Sequence, residues 1–178
     1  NSRLCPHFHL PLQSGSNQIL KKMRRRYSSE EFIQITSLIK KYLPQASITT
    51  DVIVGFPSEK EEDFENTLYT INKSNLNNLH VFPYSVRPKT TAFYLKDHNS
   101  PEVIKSRSKE LNRISKLITT KSMRNIIGKK RSILWEGKNM NSGLTEDYYR
   151  VIRKSVKLPN EYISKQKIKG LEKDKLYI

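Results

Sequence analysis

The 178-residue sequence predicts an α/β segment of three consecutive βα units followed by a small all-β barrel. Two observations carry this. Between residues 8 and 127, short apolar runs alternate three times with amphipathic stretches, the order of parallel strands joined by helical crossovers. After Gly128 no helical stripe recurs, and short alternating runs separated by polar turns take over. The change of character divides the chain into domains 1–128 and 129–178.

The first strand is Phe8–Gln13, apolar at alternate positions and stopped by Gln13-Ser14-Gly15-Ser16. Ile19, Leu20 and Met23 then fall at helical spacing over 17–26, with Ser16 or Asn17 as cap. Ser28 and Glu31 form a capping-box pattern ahead of a helix with the stripe Phe32, Ile35, Leu38 and Ile39, ended by Pro44. A β-branched strand, Ser47–Val54, stops at Gly55-Phe56-Pro57. The helix that follows opens on acidic residues, which suit its positive end, and continues through Phe64, Leu68 and Ile71. Leu76–Tyr84 is the third strand, and a polar connection leads to a long helix over 101–127, with Pro101 at its first position and Gly128 at its end. Beyond it, Arg131–Glu136, Tyr148–Arg153, Tyr162–Ile168 and Leu176–Ile178 read as short strands.

The net charge is +16, and it is unevenly spread. Residues 1–99 hold 13 Lys and Arg against 9 Asp and Glu, a net of +4; residues 100–178 hold 20 against 8, a net of +12. Such an excess favours a polyanionic partner, nucleic acid above all. The compositional alternative is a lysine-rich background, since Lys supplies 22 of the 33 basic residues. No run reaches the roughly 20 apolar residues of a membrane helix, and no secretory signal pattern opens the chain, so the expected location is the cytoplasm and the expected partners exclude a membrane. The chain opens on Asn1 rather than Met, which suggests a piece of a longer protein. One cysteine, Cys5, excludes an internal disulfide and cannot by itself hold a metal; it is expected buried or half-buried near the first strand. His7 and His9 alternate on that strand without a third ligand at suggestive spacing, so no metal site and no catalytic side chain is assigned.

In a parallel βα array, ligands sit at the carboxyl ends of the strands. Three such ends are polar here: Gln13-Ser14-Gly15-Ser16, Asp51 with Gly55-Phe56-Pro57-Ser58-Glu59, and Tyr84-Ser85-Val86-Arg87-Pro88. Gly15 and Gly55 allow close backbone approach to a ligand, and ordinary turn chemistry is the competing account of each end taken alone. Basic clusters occur at 21–26, along the long helix, and at Arg150, Arg153 and Lys154 beside Tyr148 and Tyr149. Cations interleaved with tyrosines suit phosphate contact and base stacking, or equally a solvated face over core tyrosines.

Three blocks are more specific. His9-Leu10-Pro11-Leu12-Gln13-Ser14-Gly15-Ser16 with Met23-Arg24-Arg25-Arg26-Tyr27, Thr49-Thr50-Asp51-Val52-Ile53-Val54-Gly55-Phe56-Pro57 with Glu61-Glu62-Asp63-Phe64, and Phe82-Pro83-Tyr84-Ser85-Val86-Arg87-Pro88-Lys89-Thr90 resemble, in order and spacing, the methylthiotransferase branch of the radical-SAM enzymes. The resemblance covers residues 1 to about 95 and implies the last three βα units of a partial TIM-type barrel. The remainder resembles, more loosely, the family's TRAM domain, a tRNA-binding β-barrel. Leu4-Cys5-Pro6-His7 and His80-Val81-Phe82-Pro83-Tyr84 look most like the branch acting on threonylcarbamoyladenosine beside the tRNA anticodon. Sister branches act on isopentenyladenosine or on a ribosomal-protein aspartate, and a non-catalytic RNA-binding protein is the reading of another class.

The resemblance implies an enzyme that uses S-adenosylmethionine and two 4Fe–4S clusters to insert a methylthio group into an adenosine of the tRNA anticodon stem-loop. By carry-over, Gln13, Ser14 and Ser16 would line the S-adenosylmethionine pocket, Asp51, Val54, Gly55 and Phe56 would border its nucleoside, and Tyr84, Ser85 and Arg87 would close the third side. Arg24, Arg25, Arg26, Tyr148, Arg150, Arg153 and Lys154 are the expected RNA contacts. The family's cluster cysteines are missing from these 178 residues, so this stretch alone is expected to be inactive. It also departs from the family pattern at two glycines: Ser58 follows Gly-Phe-Pro and Lys89 follows Arg-Pro.

Overall fold

The structure is a computed structural model, and it describes residues 4–137, 139–154 and 161–178. The elements run β1 (His7–His9), α1 (Asn17–Lys22), α2 (Ser29–Tyr42), β2 (Ser47–Val54), α3 (Glu61–Lys73), β3 (Asn78–Pro83), a short 3-10 helix (Thr91–Tyr94), α4 (Pro101–Arg124), β4 (Lys130–Glu136), β5 (Ser142–Thr145), β6 (Arg150–Ile152), β7 (Ile163–Lys167), β8 (Gly170–Glu172) and β9 (Lys175–Tyr177). The chain falls into two compact units, one of Phe8–Pro44 with Ile48–Ile118, the other of Asn1–His7, Gln45–Ser47 and Thr119–Ile178.

The first unit carries a sheet of order β1-β2-β3. β2 and β3 are parallel, with Thr49 opposite Asn78 and Asp51 opposite His80. Alternation along β2 sorts its residues: Ile48, Thr50, Val52 and Val54 are buried, while Asp51 and Ile53 on the other face are half-buried. Val52 and Val54 pack with Leu12, Phe32, Phe64, Ile71, Leu79 and Leu111. β1 is shorter than the expected strand. Past His9 its backbone rejoins β2 through the Thr50 hydroxyl, which donates to the Leu10 carbonyl at 2.6 Å and accepts from Leu12 N–H at 2.9 Å, and then through a parallel bridge between Gln13 and Val52.

Ser16 is the cap of α1, and that helix ends at Lys22 rather than near Arg26. Ser28 and Glu31 form the capping box expected for α2. The buried stripe of α2 is narrower than its sequence pattern, because Phe32 and Thr36 are buried while Ile35 and Leu38 face solvent. α4 stops at Arg124; tightened bonds from Ile126 N–H to Met123 and from Ile127 N–H to Arg124 close it. Gly128 then adopts φ +83 and donates its N–H to Ile168. Among the described residues, no helix is long and apolar enough to cross a membrane.

The second unit holds a six-stranded sheet of order β7-β4-β5-β6-β9-β8, antiparallel except between β6 and β9. Its core is Ile126, Ile133, Trp135, Tyr149, Val151, Ile168, Leu176 and Ile178. Ser142–Thr145 and Gly170–Glu172 are strands with no counterpart among the expected ones; both contain a glycine. At Gly143 a Cβ would stand 2.6 Å from Ile133 Cγ2, and at Gly170 it would stand 2.6 Å from the Tyr177 hydroxyl, so each glycine lets a neighbouring side chain close over the strand. The polar turn expected before Tyr162 falls at 155–160, outside the described residues.

Candidate functional site

The carboxyl ends of β1, β2 and β3 open on a hollow of about 650 Å³. Gln13, Asp51, Phe56, Tyr84, Ser85 and Arg87 line it, six of the side chains expected to hold a cofactor. Arg24 and Arg25, expected as RNA contacts, line the same hollow, whereas Arg26 does not. Tight geometry sets this rim. Gln13 sits at φ +65, its amide N–H bonded to Asp51 O and its carbonyl to Ile53 N–H, and its side chain accepts from Arg25 Nη2 at 3.0 Å. Tyr27 donates its hydroxyl to the carbonyls of Pro11 and Leu12 at 2.8 and 3.1 Å; burial raises its proton affinity above the ordinary phenol value, so it stays a donor.

Asp51 accepts from His9 Nε2 at 3.2 Å, and His9 Nδ1 lies 2.9 Å from the Thr49 hydroxyl. His80, opposite Asp51 in the register, is exposed, its ring 6.3 Å from that of His9. Phe56 and Tyr84 meet edge to face at 5.5 Å. The Tyr84 hydroxyl is buried and has no hydrogen-bond partner among the described residues.

The other four expected cofactor residues are turned elsewhere. Ser14 and Ser16 are 1% and 2% exposed. Ser16 Oγ donates to Asp63 Oδ1 at 2.5 Å and caps α1, while Ser14 Oγ accepts from Ser16 N–H; both hydroxyls serve the α1–α3 packing. The Val54 side chain belongs to the core, and its carbonyl accepts from Tyr84 N–H. Gly55 lies at φ +75, and a Cβ there would come 2.3 Å from Ile104 Cγ1 of α4. A Cβ on Gly15 would come 2.5 Å from Thr67 Cα of α3. Each glycine therefore lets a helix pack closely against its strand end.

A clamp below the rim fixes the second strand end. Glu59 accepts from Gly55 N–H at 3.0 Å and from Arg107 Nη1 at 2.7 Å, and Arg107 Nη2 reaches Glu61 at 2.9 Å. Burial pushes the Glu59 carboxyl above the usual carboxylate range, against the downward pull of Gly55 N–H and Arg107.

The two departures from the family pattern occupy special backbone. Ser58 is at φ +66 and Lys89 at φ +65, the left-handed region that favours glycine. Ser58 is held there by Asp97 and Lys96, whose carbonyls accept from its N–H at 2.8 Å and its hydroxyl at 3.3 Å.

In the second unit, the expected RNA contacts are largely occupied. Arg150 pairs with Glu136 at 2.7 Å, and Lys154 pairs with Glu172 over the Tyr177 ring. Arg153 donates to the carbonyls of Met140 and Asn139 and to the Asn141 side chain. Tyr148 is exposed at φ +69, its ring stacked on His7 at 4.2 Å. Cys5 is exposed, contrary to expectation, because it lies in the turn before β1, where its carbonyl accepts from His7 N–H.

The model for the radical SAM superfamily matches residues 2–71, which include the first two of the three strand ends. The chain is 38% identical over 144 residues to a tRNA-2-methylthio-N(6)-dimethylallyladenosine synthase of Pelotomaculum thermopropionicum, covering 80% of this chain and 32% of that protein. It is 36% identical over 164 residues to the protein of the same name in Caldicellulosiruptor saccharolyticus, covering 92% and 35%. A Mycobacterium marinum relative with that name is 41% identical over 131 residues, covering 74% and 25%. These matches support the radical SAM methylthiotransferase family, a family of enzymes. The chain spans a quarter to a third of the length of these curated relatives. The threonylcarbamoyladenosine branch is not supported, since all three relatives carry dimethylallyladenosine in their names.

The family implies S-adenosylmethionine and 4Fe–4S clusters. The residues of this chain do not fit a cluster: Cys5 is its one cysteine, and among the described residues no three His, Cys, Asp or Glu side chains come together to hold a metal. They do fit S-adenosylmethionine. The hollow offers aromatic walls for an adenine, a carboxylate, and in Tyr84 a buried hydroxyl without a partner among the described residues.

Proposed function

We propose that this chain is the part of a radical SAM methylthiotransferase that holds S-adenosylmethionine and receives a dimethylallyladenosine (isopentenyladenosine) of tRNA. The observation that carries the reading is the convergence of Gln13, Asp51, Phe56, Tyr84, Ser85 and Arg87 on one hollow at three strand ends, in a chain whose relatives are named for the methylthio form of that nucleoside. When bound, S-adenosylmethionine supplies the radical chemistry and the methyl group. The Phe56 and Tyr84 rings would offer an aromatic wall to its nucleoside, the Tyr84 hydroxyl would give it a hydrogen bond, and Asp51, oriented by His9, would take a donor from its polar end. Arg24, Arg25 and Arg87 supply positive charge at the rim for RNA phosphates. The cluster cysteines come from outside these 178 residues, and residues 129–178 form a TRAM-like RNA-binding domain, giving the two-domain division 1–128 and 129–178.

The test is mass analysis of tRNA nucleosides from cells with and without the full-length gene. Loss of the methylthio form of dimethylallyladenosine, with accumulation of its unthiolated precursor, is the expected result. Loss of methylthio-threonylcarbamoyladenosine instead would overturn the substrate assignment, and an unchanged profile would overturn the tRNA-modifying reading.

A further inference from the structure

We propose that the outer face of β4 and β7 is a docking surface for an RNA strand, with Lys130, Lys165 and Lys167 as its phosphate contacts and the exposed pair Leu134 and Ile163 as its apolar floor. The inference rests on the RNA-directed function proposed above and assigns residues to it.

The register builds the face. Lys130 lies directly opposite Lys167, Ser132 opposite Lys165, and Leu134 opposite Ile163, so all six side chains share one side of the two-stranded ladder. The other side carries Ile133 and Trp135 into the core. Like charges directly opposite each other destabilise a sheet, and Lys130 and Lys167 form such a pair. Lys165 adds a third ammonium on the same face, about 6.6 Å along β7 from Lys167.

Among the described residues, none of these three lysines has an acidic partner, whereas Arg131, Arg150 and Lys154 are neutralised by Asp147, Glu136 and Glu172. β7 is an edge strand, and lysines on an edge guard against strand addition. That accounts for Lys165 and Lys167 but not for Lys130, which stands on the second strand in. A polyanion laid across both strands accounts for all three.

The apolar floor narrows the polyanion. Leu134 and Ile163 are 48% and 58% exposed. Cations bordering flat apolar surface match a strand whose phosphates and unstacked bases are both presented, as in a tRNA loop.

The experiment uses the 178-residue chain and a fluorescent anticodon stem-loop oligonucleotide, with affinity followed by anisotropy across a salt series. Each phosphate contact to single-stranded nucleic acid contributes about 0.7 to the slope of log affinity against log salt. The triple change Lys130→Gln, Lys165→Gln, Lys167→Gln should lower that slope by about 2 and weaken binding at least tenfold. The Lys→Arg triple should restore the slope, and Leu134→Ser with Ile163→Ser should weaken binding with the slope unchanged. A control triple of the same charge outside the basic clusters, Lys41→Gln, Lys60→Gln, Lys73→Gln, should leave the slope in place. Near-ultraviolet signals of buried Trp135 confirm that each variant is folded.

Equal losses from the two glutamine triples, or no loss from the first, would overturn the assignment. So would displacement of the oligonucleotide by an equimolar acidic peptide, which would make the partner a protein. Failure here with a positive nucleoside profile would sink the face and leave the tRNA substrate standing.

Discussion

Arg107→Met tests how the second strand end is held. Arg107 is 6% exposed and donates to Glu59 at 2.7 Å and to Glu61 at 2.9 Å, and its guanidinium lies 5.3 Å from the centre of the Phe64 ring. Methionine keeps much of the packing volume and removes the charge, so Glu59, with its side chain 2% exposed, keeps only the Gly55 N–H. Breaking a buried pair from one side costs about 3–5 kcal/mol. In a domain of this size that is a fall of roughly 6–20 °C in Tm. Urea unfolding followed by helical circular dichroism reads it, because α1–α3 and most of α4 lie in the first unit.

The loss should also depend on pH. Burial already holds the Glu59 carboxyl above its unfolded value, and removing Arg107 takes away two downward influences. A carboxyl with a raised folded pKa contributes stability that is fully present below its unfolded value and lost as pH rises through the folded one. The deficit of Arg107→Met should therefore shrink as pH falls from about 8 towards about 5. Adding Glu59→Gln should recover at least half of it at pH 8, since no charge is then left buried. A deficit under about 1 kcal/mol at pH 8, or one that ignores pH, would refute the clamp.

Ser58→Gly and Lys89→Gly should each raise stability by about 0.5–1 kcal/mol in urea unfolding, because left-handed backbone costs a non-glycine residue about 1–2 kcal/mol and glycine returns part of that as chain entropy. Gly55→Ala should destabilise by about 2 kcal/mol or more through the Ile104 clash and the positive φ. In the background of Ile104→Ala its further cost should be smaller, which thermal melts of the four-member cycle will show. Gly15→Ala meets the Thr67 backbone instead, so side-chain trimming should not relieve it. Ser164→Ala removes the acceptor of the Trp135 indole N–H, at 2.8 Å, and should cost about 1–3 kcal/mol with a shift in tryptophan emission, readable because the chain has one Trp.

The βα order, the Ser28–Glu31 box and the three polar strand ends were legible because each is a local pattern of period or spacing. Side-chain direction at the strand ends was not. Ser14 and Ser16 look like pocket hydroxyls in a turn, yet Asp63 and Thr67, some fifty residues on, claim them. Gly55 reads as room for a ligand, and only the return of α4 shows the room taken by Ile104. Lys130, Lys165 and Lys167 escaped notice because their significance is a register between strands, which no single stretch of sequence contains. Phe82 and Thr90–Ala92 also line the hollow; the alternation of His80 and Phe82 on β3 with Tyr84 just past it was the available signal for Phe82.

The Thr50 hydroxyl gives the approach to Gln13 a particular kinetic character. Leu12 N–H is sheltered by one side-chain oxygen instead of a ladder carbonyl, and Pro11 before it has no N–H to share the task. A single rotamer change at Thr50 would open the amide without unzipping β2. Hydrogen exchange at Leu12 should then run ahead of that at Val52 and Ile53, so the peptide leading into the hollow breathes without the strand beside it.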